Sequence, residues 1–103
     1  MKNVAQQAPK RQTGAGYFVT EPGQPQREVH LTGQSAWVLG LLIATGRAGL
    51  TAADLPAGVR VAAVVLKLRR AGVPILTINE PNTGPFGGSH ARYTLAANVE
   101  VAQ

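Results

Sequence analysis

The chain has 103 residues, ten Lys or Arg against five Asp or Glu, a formal net charge of +5 and no cysteine. That length favours one modest domain, and the absence of cysteine excludes a disulfide scaffold, a thiolate zinc site and a cysteine nucleophile together. With a pI near 10.5, the expected partner is a polyanion, nucleic acid first, against the alternative that the charge serves only solubility.

Residues 1–30 differ in kind from the rest. "AQQAPKRQTGAG" and "TEPGQPQRE" are rich in Gln, Pro and Gly, and such composition buries too little apolar surface to offset ordering entropy. The expectation is a flexible basic arm carrying Lys2, Lys10, Arg11 and Arg27, of which only Tyr17–Val19 could dock on a folded surface. "MKNVAQQAPKRQ" lacks the apolar core of a secretory signal, and the apolar run Ala36–Ala44 is too short to span a bilayer. A cytoplasmic protein without a membrane partner is expected.

Order is expected from "LTGQSAWVLGLLIATG". Thr32 stands where an N-cap belongs, with Ser35 rather than Glu or Gln at the capping-box position. Trp37, Leu41 and Ala44 share one helical face, with Val38, Leu42 and Thr45 beside it, and Gly46 fits a C′ position. This wide apolar face marks a core helix. Thr51 then caps a very short helix over Ala52–Leu55, which Pro56 and Gly58 end. A third helix is predicted over Val59–Ala71, closed by Gly72, with Lys67, Arg69 and Arg70 in a last turn where cations suit the helix dipole. A strand over Val73–Asn79, a loose loop over Glu80–Ser89 and a strand over His90–Leu95 follow, then a tail over residues 98–103.

Helix, short helix, helix and hairpin is the layout of a winged helix-turn-helix domain. The string "LKLRRAGVPILTINEPNTGPFGGSHARYTL" also resembles the end of such domains, particularly short ones encoded by bacteriophages and prophages. The matching positions are Leu68, Arg69, Gly72, Val73, Pro74, Ile75, Arg92, Tyr93 and Leu95, and the resemblance covers roughly residues 31–97. The expected fold is therefore α+β, a three-helix winged helix-turn-helix with a C-terminal two-stranded β-hairpin wing. The resemblance implies that the third helix is the DNA-recognition helix and the hairpin the wing.

On that helix Arg60, Ala63, Lys67 and Arg70 fall at spacings of three, four and three and form one stripe. Val61, Val64, Val65, Leu68 and Ala71 form stripes that would face the core. Arg can fork onto guanine, Ala can meet a thymine methyl, and Lys can meet phosphate. The competing reading is a solvated face whose cations only help the dipole. No Asn, Gln, Ser or Thr lies between Arg60 and Lys67, so phosphate-dominated binding of modest specificity is expected. In the second strand, alternation sends His90 and Arg92 outward and Ala91, Tyr93 and Leu95 toward the helices. The candidate DNA contacts are thus Arg60, Ala63, Lys67, Arg69, Arg70, His90 and Arg92, with Lys10 and Arg11 from the arm. Phe86 is either an apolar wedge or, preferably, folds back or is buried against a partner.

A lone His90 without cysteine makes a poor metal site, "GPFGGSH" lacks the Gly-Lys-Ser/Thr ending of a phosphate loop, and Ser89 and His90 point to opposite faces. With Glu21, Glu28, Asp54, Glu80 and Glu100 scattered, no catalytic constellation, cofactor or small-molecule substrate is expected. The chain reads as a duplex-DNA-binding regulator or accessory factor, of the nucleoid or of a phage-infected bacterial cell, with a homodimer possible. The alternative is a protein-interaction module built on the aliphatic third helix and Phe86.

Overall fold

Tyr17 and Val19 alternate with Gly16, Phe18 and Thr20, and Val29 and Leu31 alternate with Glu28 and His30. This is the period-2 pattern of a half-buried hairpin, and the computed structural model, which describes residues 15–102, folds it as one. Strand β1 (Ala15–Thr20) pairs antiparallel with β2 (Arg27–Leu31), and both send their alternating apolar side chains into the core. On its other edge β1 pairs with β6 (Asn98–Val101), which buries Val99. The flexible arm expected over residues 1–30 is therefore corrected from Ala15 onward, and so is the tail expected over residues 98–103. Lys2, Lys10 and Arg11 lie outside the described residues.

Helix α1 (Gly33–Thr45) starts after Thr32, whose extended backbone suits an N-cap although its side chain makes no capping bond. Gly46 ends it with φ +54° and leads into a 3-10 turn, Gly46–Ala48. The buried face is Val38, Leu39 and Leu42; Trp37, expected on the core side with Leu41 and Ala44, is 46% exposed.

The expected second helix does not form. Strand β3 (Leu50–Thr51) is followed by a single 3-10 turn, Ala52–Asp54, closed by Asp54 Oδ2 accepting from the Thr51 backbone N–H at 2.8 Å and the Thr51 hydroxyl at 3.2 Å. Pro56 is the reason: it bars Leu55 from the helical region, and Leu55 is extended, with its side chain buried. The described chain thus holds two α-helices and six strands in two sheets, not a three-helix arrangement.

Helix α2 (Val61–Ala71) begins two residues later than expected, because Arg60 takes an extended N-cap conformation. Val61, Val64, Val65 and Leu68 are buried against α1, while Ala71, expected among them, is exposed. Gly72 closes the helix in the left-handed region at φ +109°. The Gly72 N–H bonds to Arg69 O at 3.1 Å and the Val73 N–H to Leu68 O at 3.0 Å. These two bonds make a Schellman motif, and its accompanying apolar contact is between Leu68 and Val73, both fully buried.

Strands β4 (Ile75–Pro81) and β5 (Ser89–Leu95) form the wing, and with β3 they make the second sheet in the order β3-β5-β4. β4 runs two residues further than expected. Pro81 can join it because its partner position, opposite Ser89, needs no ladder bond. One core, from Tyr17 to Val99, unites both sheets and both helices, each fully buried Val or Leu adding roughly 1.5–3 kcal/mol.

Val19 is fully buried. Val19→Ala is therefore expected to destabilise the protein by about 2 kcal/mol, read as a lower denaturant midpoint. An unchanged midpoint would mean that residues 15–31 do not belong to the core.

Candidate nucleic-acid interface

The seven candidate contacts within the described residues separate into two groups. Arg60, Ala63, Lys67 and Arg70 are exposed on α2 or at its N-cap, and the three cations have no partner among the described residues. Burial of Val61, Val64, Val65 and Leu68 on the opposite face fixes which way this stripe points. No acidic residue interrupts α2, and Ala62 and Leu66 complete its exposed side. The two alanines keep its relief low enough for a groove to approach the backbone.

Lys67 also lines a depression of about 440 Å³ shared with His30 and the first turn of α1, Thr32–Ser35. That turn carries no acidic residue and no side-chain cap, so its free N–H groups and Lys67 present positive potential to the same space.

The second group is committed elsewhere. Arg69, although exposed, donates through Nε and Nη2 to Ile75 O at 3.2 and 2.7 Å, and through Nη2 to Thr77 Oγ1 at 2.8 Å. It ties the end of α2 to the start of the wing. Arg92 donates from Nε to Glu80 Oε2 at 2.8 Å and from Nη1 to Ala48 O at 2.8 Å, fastening the wing to the turn after α1. His90 lies with Nε2 3.0 Å from Glu80 Oε1 and Nδ1 2.8 Å from Asn82 Oδ1. In β5 Tyr93 is buried and Ala91 and Leu95 pack on the core as expected, but Thr94, on the face of His90 and Arg92, is buried as well. The outward face is nonetheless not a free cationic edge. Glu80 neutralises it.

The expectation of a loose loop over Glu80–Ser89 hides the role of Glu80. The signal was present: continuing the alternation of β4 to Pro81 sets Glu80 directly opposite His90. The tip is also less loose than expected. The Asn82 N–H bonds to Gly88 O and Asn82 Nδ2 to Gly87 O, both at 3.0 Å. Phe86 does not fold back; it stands 96% exposed between Pro85 and Gly87. Among the described residues no group of three His, Cys, Asp or Glu side chains could hold a metal ion.

The hydrogen bond from Arg92, helped by His90 and opposed by burial, holds the Glu80 carboxyl below its ordinary value of 4.5. The same bond pushes the Arg92 guanidinium up. A carboxyl depressed in the folded state stabilises the fold above its unfolded value and loses that contribution as pH falls through the folded one. Melting temperature is therefore expected to drop as pH falls below 4.5, and Glu80→Gln should be less stable than wild type at neutral pH with a shallower acid-side fall. Identical acid-side profiles for the two proteins would contradict the ion pair.

Among curated proteins and among solved structures nothing matches the chain. A family model described as a winged helix domain matches residues 28–103, from β2 through the wing to the end of the chain. That span holds both helices, the α2 stripe and the hairpin that follows it, and the chain belongs to the winged helix domain family.

Proposed function

We propose that the protein binds duplex DNA through the exposed face of α2, as a small transcription regulator or DNA-transaction accessory factor in a bacterial or phage setting. One observation carries this reading: Arg60, Lys67 and Arg70 stand exposed and unpartnered among the described residues, on a side of α2 without an acidic residue. Family membership supports it.

In this reading Arg60, at the N-terminal end of α2, forks onto a guanine edge, and Ala63 packs against a thymine methyl. Arg70 meets a backbone phosphate. Lys67 and the first turn of α1 hold another between them, since helix N–H groups and an ammonium favour the same anion. With only Ala62, Ala63 and Leu66 exposed between Arg60 and Lys67, phosphates supply most of the affinity and specificity is modest. Arg69 and Arg92 serve as tethers, so the wing root adds shape rather than charge.

The alternative, a protein-interaction module, rested on the aliphatic residues of this helix. Those are buried, which leaves Leu66 and Phe86 as its support.

The test is fluorescence anisotropy with a labelled duplex across a salt series. Lys67→Glu with Arg70→Glu should weaken binding at least about tenfold and flatten the log–log salt slope by about 2. Arg92→Ala should lower thermal stability while leaving the slope unchanged. An unaltered slope in the double variant, or no wild-type binding at low salt, would overturn the proposal.

A further inference from the structure

Strand β4 is an edge strand, and its backbone pairing is fixed by two bonds that flank it. The Ala96 N–H donates to Pro74 O and the Asn82 N–H to Gly88 O, each at 3.0 Å, both in register with the β4–β5 ladder. Hydrogen-bonded pairs alternate along an antiparallel ladder. Leu76, Ile78 and Glu80 therefore turn their backbone groups to β5, and Ile75, Thr77, Asn79 and Pro81 turn theirs to the open edge.

That edge is closed at both ends. Arg69 already occupies Ile75 O, and Pro81 has no N–H to offer. Between them lies a window of three residues, Thr77, Ile78 and Asn79, none of them charged. Natural edges of this kind are blunted by lysine, proline or a bulge; inside the window Arg69 reaches only the Thr77 hydroxyl, at 2.8 Å, and the backbone groups of Thr77 and Asn79 carry no such guard. On its outer face Leu76 and Ile78 are 54% and 45% exposed, an unusual load of apolar surface for a strand edge.

We propose that this window pairs with itself, so that two copies of the protein join through antiparallel β4 strands about a two-fold axis at Ile78. In that register Thr77 faces the partner's Asn79 and each such pair exchanges two hydrogen bonds, so the four outward groups of each window are all satisfied. Moving the axis one or two residues toward Ile75 spends a bond on the carbonyl that Arg69 holds. Moving it the other way sets an acceptor against Pro81. The register is therefore specified by the sequence as well as permitted by it.

The outer face supports the same pairing. Ile78 meets the partner's Ile78 at the closely spaced, non-hydrogen-bonded position, with Leu76 of each copy on the diagonal. These side chains continue into a groove of about 510 Å³ between the wing, the end of α1 and β6, whose apolar lining of Leu42, Ile43, Leu95 and Val99 is bordered by Arg47 and Asn98. No like charges meet in the window, so the +5 of each copy does not oppose the contact at its centre. The joint sheet runs β3-β5-β4 into the partner's β4-β5-β3. This proposal stands independently of DNA binding.

The chain has no cysteine, so a single introduced one can form only an intermolecular disulfide. At the proposed axis the two Cα atoms lie about 4.5 Å apart, within disulfide reach. Under mild oxidation Ile78→Cys is expected to convert to a covalent dimer, while the equally exposed control Leu66→Cys stays reduced. Sedimentation should show wild type reaching twice the 10.7 kDa chain mass with rising concentration, in high salt as in low. Asn79→Pro removes only an outward N–H and leaves the β5 ladder intact; it should raise the dimer dissociation constant at least about tenfold with an unchanged circular dichroism spectrum. A wild type that stays monomeric, equal crosslinking of both cysteine variants, or a folded Asn79→Pro that dimerises as well as wild type would overturn the proposal.

Discussion

Gly72 is the point on which the arrangement turns. Its positive φ lets the chain leave α2 sharply enough for the Val73 N–H to reach Leu68 O, which buries Val73 beside Leu68 and aims β4 along the body of the domain. Its carbonyl also accepts from Arg27 of β2, through Nη2 at 2.6 Å and Nε at 3.2 Å, while Arg27 pairs with Glu21 at 2.7 Å. One residue thus ends α2, launches the wing and receives the N-terminal hairpin. A Cβ there would stand 3.3 Å from Arg27 Nε, and a left-handed backbone would strain it besides. The direction in which the α2 stripe points follows from this junction.

Charge in this protein divides by partner rather than by position in the sequence. Arg27, Arg69 and Arg92 each donate to a backbone carbonyl, of Gly72, Ile75 and Ala48 respectively. A charged donor on a backbone carbonyl makes a shorter and stronger bond than a neutral one, and it fixes geometry as an exposed ion pair does not. Those three arginines therefore hold elements together. Of the four cations that make no such bond among the described residues, Arg60, Lys67 and Arg70 are gathered on the outer side of α2, and the fourth, Arg47, lies in the turn after α1. The basic balance of the composition is real, but it is shared between scaffold and surface.

Local signals carried the helix ends and the stripe. Thr32, Gly46 and Gly72 mark boundaries through backbone chemistry that each residue type imposes on itself, and the valines and Leu68 of α2 leave only one face for Arg60, Ala63, Lys67 and Arg70. What escaped depends on pairing between distant segments. β1 and β2 surround the Pro- and Gly-rich turn of residues 21–26, whose composition hides the alternation of Tyr17, Val19, Val29 and Leu31 until the two runs are taken separately. β6 is four residues long and stable only because β1 lies beside it. The wing charges were legible one by one, yet not Glu80, whose effect requires the hairpin register that sets it against His90 and next to Arg92. The short second helix failed for a local reason, the restriction that Pro56 places on Leu55.

The proposed DNA contact lies on α2 and not at the wing root. Backbone amide shifts followed by NMR during titration with a short duplex test it most directly. The largest changes are expected on residues 60–70 and on 33–35 at the start of α1, with those of Glu80, His90 and Arg92 small. Large shifts confined to the β4–β5 hairpin, with α2 unmoved, would contradict it.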